Sequence, residues 1–104
     1  MPLFHRSSKT SPKQKHVSIY RDRELLYQGK WNELPFTEKI ITEYSIRFFD
    51  DPDPCYIHQD AVRVRLLAEL EESWDNSPAE NRADWYAALS SYTGMDGISE
   101  VIFS

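Results

Sequence analysis

A chain of 104 residues suffices for one domain with a single modest core. No apolar run approaches the roughly 20 residues that cross a bilayer, which excludes a membrane-spanning helix, and one cysteine excludes an internal disulfide, as suits a reducing compartment. The net charge of −5 conceals an asymmetry: residues 1–30 hold seven Lys/Arg against two acidic residues, net +5, and residues 31–104 hold five against fifteen, net −10.

Residues 1–15 are rich in Ser, Lys, Pro and Gln, and beyond Leu3 and Phe4 they carry almost nothing apolar. Too little surface can be buried there to offset the entropy of ordering, so a basic disordered arm is expected ahead of a single domain over 16–104. The arm lacks an apolar stretch of the kind a secretory leader needs, and the expected location is the cytoplasm. Such an arm has three readings: a contact with something anionic, a segment that folds back on its own acidic domain, or a solubilising tail.

From His16 the pattern changes. Val17, Ile19, Leu25 and Tyr27 fall at alternate positions on either side of Arg21-Asp22-Arg23, which predicts a β-hairpin over 16–21 and 24–29. An isolated hairpin is marginal in water, so its apolar side must pack on helices. The next stretch, 37–49, fits two descriptions. As a strand it alternates Ile40, Tyr44, Ile46 and Phe48 with polar residues. As a helix it has Thr37 as N-cap, a Phe36–Ile41 hydrophobic staple and a Glu43–Arg47 pair one turn apart, and these end signals favour the helix. Pro52 and Pro54 stop it at Asp50.

The longest periodic pattern follows. Val62, Leu66, Leu70 and Trp74 recur every four residues, with Leu67 widening the stripe, which predicts a helix over 57–74 that acts as the spine of the domain. His58, Arg65, Glu69 and Glu72 fall on the opposite side. Arg63 lands between Leu70 and Trp74 on the apolar face, where it must pair with Asp60, snorkel outward or meet a partner. Ser77-Pro78-Ala79-Glu80 has the form of a capping box with proline at the first helical position, predicting a helix from Pro78 to Thr93 with Gly94 as its stop. Ile98–Phe103 is placed as an edge strand beside the hairpin. The expected fold is α+β: the hairpin packed on a three-helix layer, with Leu66, Leu70, Trp74, Trp85 and Leu89 at the centre.

Catalytic signals are sparse. Cys55 and His58 lie close in sequence, but no base-and-orienter set and no four-ligand zinc set accompanies them, so Cys55 is read as a buried small residue and His58 as a surface one. Asp50, Asp51 and Asp53 are oxygen ligands suited to a hard cation, yet the glycine and distal glutamate of a calcium loop are missing, and turn formation ahead of a helix explains them. The three glycines are scattered and cradle no phosphate. No catalytic residue, cofactor or metal is therefore expected.

Two binding readings remain. The first is a small non-catalytic regulator or inhibitor that presents Asp50, Asp51, Asp53, Glu69, Glu71, Glu72 and Asp75, with Arg63, to a protein partner with a basic surface. The second is a nucleic-acid accessory protein whose Arg6, Lys9, Lys13, Lys15 and Arg21 neutralise phosphates.

Overall fold

The computed structural model describes Pro12 and residues 15–104. Strand β1 (His16–Arg21) and strand β2 (Glu24–Lys30) form the expected hairpin, running from His16↔Lys30 to Arg21↔Glu24. Asp22 takes the tight corner at φ 55°, in the left-handed region that aspartate tolerates better than most residues. The register slips between Ile19 and Tyr20, where a bulge inserts Leu26.

Strand β3 (Glu100–Phe103) pairs antiparallel with β1, from Val17↔Phe103 to Tyr20↔Glu100, so the sheet order is β2-β1-β3 and β1 becomes central. The alternation in Glu-Val-Ile-Phe is the reason: Val101 and Phe103 turn into the core with Val17 and Ile19, while Glu100 and Ile102 face out.

A single 3-10 turn (Trp31–Glu33) leads out of the sheet. Helix α1 (Glu38–Phe49) follows, which settles the ambiguous stretch as helical. The Thr37 hydroxyl accepts the Ile40 amide at 3.2 Å, and Phe36 packs on the cluster that holds Ile41, as a staple would place it. Its end is closed by Asp50 in the left-handed conformation, whose amide donates to the Ile46 carbonyl at 2.8 Å.

Helix α2 (Tyr56–Asn76) is longer than its pattern suggested, 21 residues or ~31 Å. Here one local signal fails. The Ser77 amide donates to the Trp74 carbonyl, and its hydroxyl to the Ser73 carbonyl at 2.8 Å, so Ser77 closes α2 instead of opening the next helix. Residues 78–81 turn, and helix α3 (Ala83–Thr93) starts five residues later than predicted. Tertiary contacts fix that start: the Arg82 guanidinium lies 3.5 Å above the Trp74 ring, and Trp85 Nε1 donates to the Leu70 carbonyl at 2.8 Å. Gly94 stops α3 at φ 75°, as expected.

Two apolar clusters meet along α2. The larger joins the sheet (Val17, Ile19, Val101, Phe103) to Trp31, Leu34, Leu70, Trp74, Trp85 and Leu89. Within it Trp31 stacks on Trp85 at 6.3 Å, and Trp74 meets Trp85 edge-on at 4.7 Å. The smaller holds Ile40, Ile41, Val62 and Leu66, with Phe36 and Tyr92 packed on both. Leu66 thus belongs with α1, not with the sheet-side centre to which the periodicity alone assigned it. No helix among the described residues is long and apolar enough to cross a membrane.

Candidate protein-binding surface

Helix α2 is buried on one side only. Its inward stripe is Val62, Leu66, Leu67, Leu70 and Trp74. On the far side, Ile57, Ala61, Val64 and Ala68 recur at the same 3–4 spacing, and Glu72 and Asp75 continue the line toward the C-terminus. Most of this second stripe is uncovered among the described residues: Ile57 is 75% exposed and Val64 60%, Ala68 is exposed and Ala61 half-buried, and Tyr56 beside it is 85% exposed. The outer face is therefore apolar over its first three turns and acidic over its last two.

The carboxylates expected to face a partner occupy three different settings. Asp50, Asp51 and Asp53 lie in the α1–α2 turn. Asp51 Oδ2 is 2.8 Å from His58 Nδ1, and the Asp53 amide donates to Asp51 Oδ1 at 3.1 Å. These two bonds, His58's first, hold the Asp51 carboxyl below the usual aspartate range. His58 also stacks on Phe49 at 4.4 Å, which ties the first turn of α2 to the last turn of α1.

Further along, Glu69 pairs with Arg65 at 3.9 Å, and Arg65 lies over the Phe48 ring. Glu71 accepts a 2.9 Å hydrogen bond from Trp31 Nε1, so its carboxylate is committed to the core's edge. Of this group's four carboxylates on α2, Glu72 and Asp75 are exposed with no ion-pair partner among the described residues, as are Asp50 and Asp53 in the turn before it.

Arg63, half-buried, makes no ion pair with Asp60. Its guanidinium donates to the carbonyls of Leu34 at 2.7 Å and Asn32 at 2.9 Å and lies over the Phe36 ring. It thus supplies the partners for two carbonyls in an irregular connector, a task invisible to a helical wheel.

Of the cations assigned to the second reading, Arg6, Lys9 and Lys13 lie outside the described residues. Lys15 is exposed, its amide bonded to the Pro12 carbonyl and its own carbonyl to the Trp31 amide. Arg21 already donates to the Asp96 carbonyl at 2.9 Å and reaches Glu24 at 3.5 Å. Cys55 is exposed at the N-cap of α2, not buried as expected, because the proline-rich turn carries it clear of both clusters. Among the described residues no group of three or more His, Cys, Asp or Glu side chains is placed to hold a metal ion. Burial, then Tyr44, pushes the Tyr92 hydroxyl up, but Tyr92 sits edge-on to Phe36 and Tyr44 and serves the aromatic packing between the clusters.

The sequence reading missed Tyr56, Ile57 and Val64. A signal was present: 57, 61, 64 and 68 form a second apolar line about 180° from the first, and a helix apolar on two opposite sides must either be covered twice or expose one of them.

Compared with known proteins, the chain matches no family model, no curated protein and no solved structure.

Proposed function

We propose that this is a small non-catalytic binding protein, acting in the cytoplasm as a regulator or inhibitor, that docks a protein partner along the outer face of α2. The observation that carries the reading is the exposed Ile57, Val64 and Ala68, in line with the half-buried Ala61, running into the carboxylates of Glu72 and Asp75, which have no ion-pair partner among the described residues. Apolar side chains left in water cost little one at a time, but a line of them bordered by polar groups matches the makeup of an interface core and its rim. The acidic end sets the partner's sign: a basic surface is attracted and steered, and an acidic one is repelled. Asp50, Asp51 and Asp53 extend the same field past the N-terminal end of the helix.

The test is capture from host lysate treated with nuclease, using the intact chain and two variants. One carries Ile57→Asp and Val64→Asp; the other carries Glu69→Lys, Glu72→Lys and Asp75→Lys. Both should keep the fold, and each should lose a stoichiometric protein partner that the parent retains. If both variants keep that partner, the α2 face is not the site. Recovery that vanishes with nuclease instead favours the arm, and a matched variant replacing Arg6, Lys9, Lys13 and Lys15 by Gln then shows a flattened salt dependence.

A further inference from the structure

Along the N-terminal half of α2, three depressions share lining residues. The first, about 440 Å³, is lined by Phe36, Glu38, Ile41, Asp53, Pro54 and Arg63. The second, about 140 Å³, lies between Tyr56, Gln59, Asp60 and Arg63. The third, about 340 Å³, is lined by Asn32, Asp60, Arg63, Val64 and Leu67. Arg63 borders all three and Asp60 two, so they form one groove. From Tyr56 to Leu67 it follows the helix for ~17 Å, the span of about five residues of extended chain.

The charges along this groove are unequal. Glu38, Asp53 and Asp60 contribute three carboxylates, none with an ion-pair partner among the described residues. The one cation, Arg63, spends its donors on the Leu34 and Asn32 carbonyls and its face on Phe36. It builds the floor and leaves the carboxylates unneutralised. Between them lie apolar seats: Phe36, Ile41 and Pro54 at one end, and Val64 and Leu67 at the other.

We propose that this groove holds an extended basic peptide segment of about five residues, with Lys or Arg side chains reaching Glu38, Asp53 and Asp60 on either side of an apolar residue. The proposal rests on the protein-binding reading above for its class of partner. It places the contact at the N-terminal half of α2, away from Glu72 and Asp75.

The experiment is an amide NMR titration of the intact protein with Ac-Lys-Arg-Leu-Arg-Lys-NH2, with Ac-Glu-Asp-Leu-Asp-Glu-NH2 as the charge-inverted control. Saturable shifts at Glu38, Thr42, Gln59, Asp60 and Val64 are expected with the basic peptide only. A variant with Glu38→Gln, Asp53→Asn and Asp60→Asn should bind about tenfold more weakly, and one with Glu80→Gln and Glu100→Gln, both exposed and outside the groove and the outer face of α2, should match the parent. The spectra themselves report whether each variant is folded. Shifts confined to Glu69–Asp75 overturn the groove and leave the wider binding reading standing. No saturable shift, or binding of the acidic peptide instead, overturns the groove; the lysate capture then decides the wider reading by itself. Shifts at the same amides on raising protein concentration without peptide would assign the groove to a second copy of the chain and likewise overturn the proposal.

Discussion

Glu71 and Glu72 are chemically identical neighbours with different work. Glu71 accepts the indole N–H of the buried Trp31, and Glu72 is exposed with no side-chain partner among the described residues. Removing the acceptor leaves a desolvated donor unpaired, so Glu71→Ala should lower stability by about 1–3 kcal/mol, and Glu72→Ala should stay within about 0.5 kcal/mol of the parent. Urea unfolding of the two variants checks this; equal losses would mean that the Trp31 bond contributes nothing. The distinction could not be read from the chain, because it depends on a tryptophan 40 residues away. Arg63 makes the same point. Its position on the apolar face was legible, and the need for a partner followed, but the partners are backbone carbonyls of a connector whose path only the folded chain defines. The outer apolar stripe of Ile57, Ala61, Val64 and Ala68, by contrast, stands in the sequence itself, masked by a stronger stripe on the opposite side.

At the level of elements, end signals succeeded where a cap and its neighbours agree and failed where tertiary contacts compete. Thr37, Phe36 and Ile41 cap α1 as their spacing indicates, and the Thr37 amide in turn takes the Tyr92 carbonyl at 3.0 Å, joining the start of α1 to the end of α3. A β-carbon on Gly94 would stand 2.9 Å from Thr37 Cγ2, so that joint also needs its glycine. The box at Ser77-Pro78-Ala79-Glu80 is as well formed on paper, yet α2 runs on and claims Ser77, while Arg82 and Trp85 are set by Trp74 and Leu70. The α1–α2 joint is pH-sensitive. Asp51 ionises more readily in the folded chain than in the unfolded one, so its contribution is complete above the unfolded carboxyl's pKa and is lost as pH falls through the lower folded value. Asp51→Asn should therefore melt below the parent at about pH 6, with the gap closing as pH drops below about 4. Thermal midpoints across that range test it, and a gap that persists in acid would place the loss outside the charge.

At the scale of the fold, α2 is the only element among the described residues that supplies buried residues to both clusters: Val62 and Leu66 to one, Leu67, Leu70 and Trp74 to the other. All three tryptophans sit in the larger cluster, so indole fluorescence reports that side alone, whereas helical circular dichroism reports both. If α2 couples the two, Leu66→Ala, which opens the tryptophan-free cluster, should cost about 2–5 kcal/mol and shift both signals to the same new midpoint. Separate transitions would show that the α1 side melts on its own. The α+β class, the hairpin and the spine were readable because each follows from a local period. The division of the core was not, since α1 and the sheet approach α2 from directions that no local pattern encodes.

The pairing of β3 with β1 also has a consequence in time. The two strands lie about 80 residues apart in the chain, with all three helices between them, and at ribosomal speeds of about 5–20 residues per second that separation is about 4–16 s of synthesis. The β1–β2 hairpin can close within microseconds of emerging. For seconds on every round of translation, the strand destined for the middle of the sheet therefore shows a bare edge, with Val17 and Ile19 uncovered. That interval, more than any state of the finished molecule, is when this protein is most open to pairing with the wrong strand.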